Sequence, residues 1–114
     1  MRQYYHETIQ ESSIECRKRE HWILDRSISL LSIAHKSLPN SKQAVEALFY
    51  TSRVWVVFIQ DLVSEDNHLP QEVKLNLISI GLWVLKECER IRRNKSNSYQ
   101  DIIDVISIVR DGLK

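Results

Sequence analysis

Apolar positions recur along this chain with helical spacing almost from end to end. In Leu77–Leu85, LISIGLWVL, nearly every residue is apolar. At 100° per residue, Val73, Leu77, Ile80, Val84, Cys88 and Ile91 form one stripe, and Leu75, Ile78, Leu82 and Leu85 form a second on roughly the opposite side. A helix apolar on two faces is either central in a packed domain or half covered and open to a partner. Upstream, His21, Leu24, Ile28, Leu31, His35 and Leu38 repeat at alternating spacings of three and four, as one wall of a bundle does. Trp22, Ile23, Leu30 and Ile33 sit away from that seam. In the next segment Val45, Leu48, Phe49, Trp55, Val56, Ile59 and Val63 share one face with Ser52 inside it, while Ala47, Tyr50, Val54, Val57 and Phe58 cover much of the other. Near the end, Ile102, Val105, Ile106, Val109 and Leu113 lie on one side, and Ile108 points away.

The breaks between these segments are short and polar. Ser12 with Glu15 fits a capping box that opens the first helix, which runs to about Ser37. Pro39 stops it, and Asn40 or Ser41 caps a second helix to about Val63. Ser64–Leu69 is the main loop. Pro70 stands at the first position of a third helix that runs to about Arg93. Asn97 or Ser98 caps a short fourth helix, which Gly112 ends. The β-branched run Val54–Ile59 could form a strand, but the flanking residues keep the helical period without a turn signal. The reading is all-α: one domain over residues 1–114, a small up-down four-helix bundle, with residues 1–11 as a loosely held N-terminal arm.

Composition narrows the function. Only two glycines and two prolines are present, too few for the turns of a sandwich or barrel. Sixteen basic against 15 acidic residues leave a net charge of +1. That is too little excess to hold nucleic acid by phosphate neutralisation, so direct nucleic-acid binding is not expected. The clusters Arg17-Lys18-Arg19 and Arg90-Ile91-Arg92-Arg93 have acidic neighbours and read as salt-bridged helix surface. Cys16 and Cys88 obey no metal or redox spacing. The four histidines form no ligand pair, the serines stand on no Gly-flanked elbow, and Gly81 stands alone in a helix, where it permits close helix approach. No enzyme, cofactor or metal site is expected. No apolar run reaches the ~20 residues of a membrane span, and the N-terminus has no signal-peptide core, so the expected location is cytoplasmic. What remains is an apolar surplus that a core of this size does not absorb: Trp22, Trp55, Trp83, Tyr50, Phe58 and Ile108. Such a surplus suits a groove for another helix or the interface of a homodimer.

The stretches EALFYTSRVWVVFIQDL, NHLPQEVKLNLISIGLWVLKE and IIDVISIVRDGL resemble the flagellar biosynthesis regulator FlaF of alphaproteobacteria. Asn67-His68-Leu69-Pro70 followed by Leu77-Ile78-Ser79-Ile80-Gly81-Leu82-Trp83 is the most distinctive part. Ser52 stands where the family pattern suggests Asn, and Asn94 where Gly is common. The resemblance implies a cytoplasmic protein acting on flagellin: a secretion chaperone that covers flagellin's terminal helices, and a positive regulator of flagellin synthesis and export. The alternative it implies is post-transcriptional control through flagellin messenger RNA or the regulator FlbT. The residues expected to touch the partner are Trp55, Phe58, Leu69, Leu77, Leu82, Trp83 and Ile108.

Overall fold

A computed structural model describes the backbone from Arg2 to Gly112 and the side chains from Lys18 to Gly112. The chain forms four helices: α1 (Arg2–His35), α2 (Lys42–Val63), α3 (Gln71–Arg92) and α4 (Tyr99–Gly112). No strand occurs among the described residues. Each helix runs antiparallel to the one before it. The Ser27 and Thr51 hydroxyls meet at 2.5 Å across α1 and α2. Gly81 of α3 lies against Ile59 and Trp55 of α2. On the far side, Tyr99 at the start of α4 meets His35 edge-on at 5.8 Å, and Arg110 near its end reaches Asp25 at 2.8 Å. The up-down bundle expected from the pattern is thus the observed fold.

Helix ends follow local chemistry. The Ser41 hydroxyl accepts from the Ala44 amide at 3.1 Å and caps α2. Pro70 stands one position earlier than expected, as the N-cap of α3. At the C-terminus of α3 the chain turns through Asn94 at φ 59°, the Asn94 amide donating to the Ile91 carbonyl and the Lys95 amide to Arg90. This is a Schellman turn, which needs a left-handed residue that Gly adopts freely and Asn tolerates. The Asn that stands where Gly was expected is therefore accounted for by backbone geometry.

One correction concerns the first helix. It begins at Arg2, so Ser12 and Glu15 lie inside it and do not open it. The stretch 2–17 holds no Gly or Pro, and serine inside a helix costs only a few tenths of a kcal/mol, so nothing stops propagation through the local cap signal. Of the arm expected over residues 1–11, residues 2–11 continue this helix in their backbone; how the arm is held lies outside the described side chains.

One core joins all four helices: Leu24, Leu31 and Ala34 from α1, Ala44, Ala47, Leu48 and Trp55 from α2, Val84, Cys88 and Ile91 from α3, Tyr99, Ile102, Ile103 and Ile106 from α4. On α1 and α2 the buried line is rotated from the expected stripes. Ser27 and Thr51 are fully buried, whereas His35, Leu38, Val45, Phe49 and Val63 are exposed. The rotation has a steric cause. Close approach of α1 and α2 puts small side chains (Ser27, Ala34, Ala44, Ala47, Thr51) at the contact and leaves larger ones outside.

Candidate helix-binding groove

The two faces of α3 have different fates. Val84, Cys88 and Ile91 of the first stripe are buried, and Leu77 and Ile80 are partly so. The second stripe lies on the outer side, away from α1 and α4. There it runs beside the outer stripe of α2, because the two helices are antiparallel and in contact along their length. Together they form one outer apolar face, the candidate groove between the two helices. Its walls are Val45 (60% exposed), Phe49 (67%) and Val63 (66%) from α2, and Leu75 (54%) and Leu82 (57%) from α3. Val56, Ile78 and Leu85 are half-buried along its floor. From Val45 to Val63 it extends roughly 27 Å at 1.5 Å per residue, about five helical turns.

Gly81 sets how deep the groove sits. A Cβ there would lie 2.9 Å from Ile59 Cδ1 and 3.0 Å from Trp55 Cε3. Only a residue without a side chain lets α3 press this closely on α2, and the close approach that the lone glycine suggested is what it does. Trp55 is turned inward, 1% exposed, with its ring against Phe58 at 5.5 Å and 87°. Its indole N–H is buried with no partner among the described residues.

At one end the groove opens into a cavity of about 580 Å³. Val45, Phe49 and Ser52 line it from α2, Cys88, Glu89 and Arg92 from α3, and Tyr99 from α4. Burial pushes the Cys88 thiol up to about 11, against a lowering hydrogen bond from Ser52, so it remains protonated at neutral pH and is a small apolar lining group. At the rim, Glu89 and Arg92 are paired with each other. Arg92, and with it Arg93, holds the Glu89 carboxyl down to about 2. Arg90 pairs with Glu87 at 3.0 Å. The salt-bridged surface expected for this cluster is therefore present.

The residues expected to meet a partner scatter. Leu82 stands in the groove, and the exposed Leu69 lies in the loop that joins α2 to α3 at its other end. Trp55 is a correction: it belongs to the core, because the interhelical space opposite Gly81 takes its ring. Phe58, Trp83 and Leu77 are half-buried on the inner side, the first two packed against the core. Ile108 is 71% exposed on α4, away from the groove. Phe49, Val45, Val56, Val63 and Leu75 were missed as a surface. Their signal was legible as two apolar stripes, one per helix, but the α2 stripe reads equally well as a core face.

Among the described residues no group of three or more His, Cys, Asp or Glu could hold a metal ion, and no helix is long and apolar enough to cross a membrane. Fold and surface together define a small antiparallel helical bundle with an exposed apolar face along α2 and α3. The chain belongs to the family described as flagellar protein FlaF, whose family model matches residues 1–113. Its role is accordingly flagellum-related. No curated protein and no solved structure matches it.

Proposed function

We propose that the protein is a cytoplasmic flagellin chaperone which holds a terminal helix of flagellin in the α2–α3 groove until export, and so acts as a positive regulator of flagellin synthesis and secretion. The observation that supports this reading is the α2–α3 face itself: exposed Val45, Phe49, Val63, Leu75 and Leu82, with half-buried Val56, Ile78 and Leu85 between them, on a flagellar-family protein. An amphipathic helix laid along such a groove buries its apolar stripe against both walls. Flagellin's ends are amphipathic helices that pack on one another in the filament, so a subunit awaiting export has such stripes to cover.

The test is co-elution of the purified protein with its cognate flagellin monomer on size exclusion, repeated with flagellin lacking its terminal helices. A complex is expected with the intact subunit and none with the truncated one. Phe49→Glu and Leu82→Glu, both on the groove walls, should each weaken the complex at least about tenfold, as loss of a central apolar anchor does. Ile108→Glu, on α4, should leave it unchanged. Equal binding by all three variants would move the site elsewhere. No complex at micromolar concentrations would sink the chaperone reading in favour of regulation through FlbT or flagellin messenger RNA.

A further inference from the structure

On the other side of α2 lies a second surface of different chemistry. Arg26 of α1 lies over two rings, its guanidinium carbon 5.9 Å from the centroid of Trp22 and 5.5 Å from that of Tyr50. The Tyr50 hydroxyl donates to the Ile23 carbonyl at 3.4 Å, which fixes one ring to α1. Trp22 is 61% exposed, and Ile33 on the same stripe of α1 is more than half exposed. Arg19 and Arg53 stand exposed on the same side of the two helices. Among the described residues no ion pair joins Arg19, Arg26 or Arg53 to a carboxylate, whereas Arg90, Arg92, Arg93 and Arg110 all have one. Glu46, near the Ile33 end, is a carboxylate on this side.

We propose that the outer face shared by α1 and α2, centred on Trp22, Arg26 and Tyr50, docks an acidic amphipathic helix of a partner protein. A guanidinium resting on two rings is partly restrained, which lowers the entropic cost of presenting its in-plane donors to a carboxylate. Trp, Tyr and Arg are the residue types that dominate binding hot spots. The apolar rings and Ile33 take the partner's aliphatic stripe, and the three arginines select for flanking carboxylates. A nucleic-acid backbone is the poorer match. The chain's net charge of +1 supplies no extended positive field, and exposed isoleucine contributes nothing to phosphate contacts. This surface is independent of the α2–α3 groove and of what that groove holds.

The probes are a synthetic amphipathic helix with leucines on one face flanked by glutamates, its analogue with lysines for the glutamates, and a single-stranded RNA oligonucleotide. Each is titrated against the full chain by fluorescence anisotropy. The acidic peptide should bind, and more weakly as salt rises. Trp22→Ala and Arg26→Ala, both surface changes, should each weaken it at least about tenfold, and the lysine analogue should bind no better than those variants. Leu82→Glu, in the other groove, should leave it unchanged. The proposal is overturned by absence of binding up to about millimolar peptide. It is also overturned if Leu82→Glu abolishes binding, if the lysine analogue binds equally, or if the RNA binds more tightly than the acidic peptide through the same arginine.

Discussion

At the scale of single residues, closeness explains most of what the chain tolerates. Gly81 lets α3 approach α2, and a Cβ there would meet the buried Trp55 ring at 3.0 Å as well as the more pliable end of Ile59 at 2.9 Å. Gly81→Ala should therefore destabilise the protein by about 1–3 kcal/mol, as overpacking of a core does, despite alanine's better helix propensity. Chemical denaturation gives the value; a neutral or stabilising result would mean that α2 and α3 can separate at no cost. The Ser27–Thr51 hydroxyl pair is fully buried. Thr51→Val leaves the Ser27 hydroxyl unpaired and should cost about 1–3 kcal/mol, whereas the double change Ser27→Ala with Thr51→Val should recover part of that loss. Two additive losses in the double-mutant cycle would show that the pair contributes nothing as a pair.

At the scale of elements, α4 is the least evenly held. It packs closely along α1 but only lightly on α3. Its tie to α3 is at the turn, where the nearly buried Glu87 carboxylate accepts from the Ser98 hydroxyl at 2.6 Å and from Arg90 at 3.0 Å. The Ser98 hydrogen bond, against the opposing effect of burial and with help from Arg90, holds the Glu87 carboxyl below the usual carboxylate value. A group whose pKa is lower in the folded state stabilises the fold above its unfolded pKa, and this contribution is lost as pH falls through the folded value. Stability should therefore drop as pH goes below about 4.5, the ordinary glutamate value. Glu87→Gln should flatten that acid limb while lowering stability at pH 7 by about 1–3 kcal/mol, the range for losing hydrogen bonds to a charged group. Thermal melts of both proteins between acid and neutral pH check this. An unchanged acid limb in Glu87→Gln would assign acid sensitivity to other carboxylates.

At the scale of the whole molecule, exposed apolar side chains gather mainly on two faces beside α2. Val45, Phe49, Val63, Leu75 and Leu82 stand on the α2–α3 side and Trp22 and Ile33 on the α1–α2 side, while Ile108 stands apart on α4. A groove of this kind also invites self-association. If the free protein dimerises through it, sedimentation should show a concentration-dependent dimer that Phe49→Glu abolishes, and added flagellin should compete with the dimer. A dimer indifferent to Phe49→Glu would place the self-contact elsewhere.

Much of the architecture was legible in the residues alone. Four helices, their order, the Pro39 and Pro70 breaks, the Ser41 cap, the role of Gly81 and the paired Arg90–Arg93 cluster all follow from local chemistry acting over a few residues. The resemblance to the family, too, was read from local stretches, Asn67–Pro70 and Leu77–Trp83 among them, and the family model matches residues 1–113. The candidate site was only half legible. Both stripes that build the groove can be drawn on a helical wheel, but a wheel gives no neighbour. Whether Phe49 is core and Trp55 surface, or the reverse, depends on how far α2 rotates to bring Ala44, Ala47 and Thr51 against α1. That rotation is set by the closest packing of the helices together, not by the apolar period of any one of them. Periodicity therefore determined that α2 and α3 each have two apolar faces, and only tertiary packing decided which face was buried and which was left exposed.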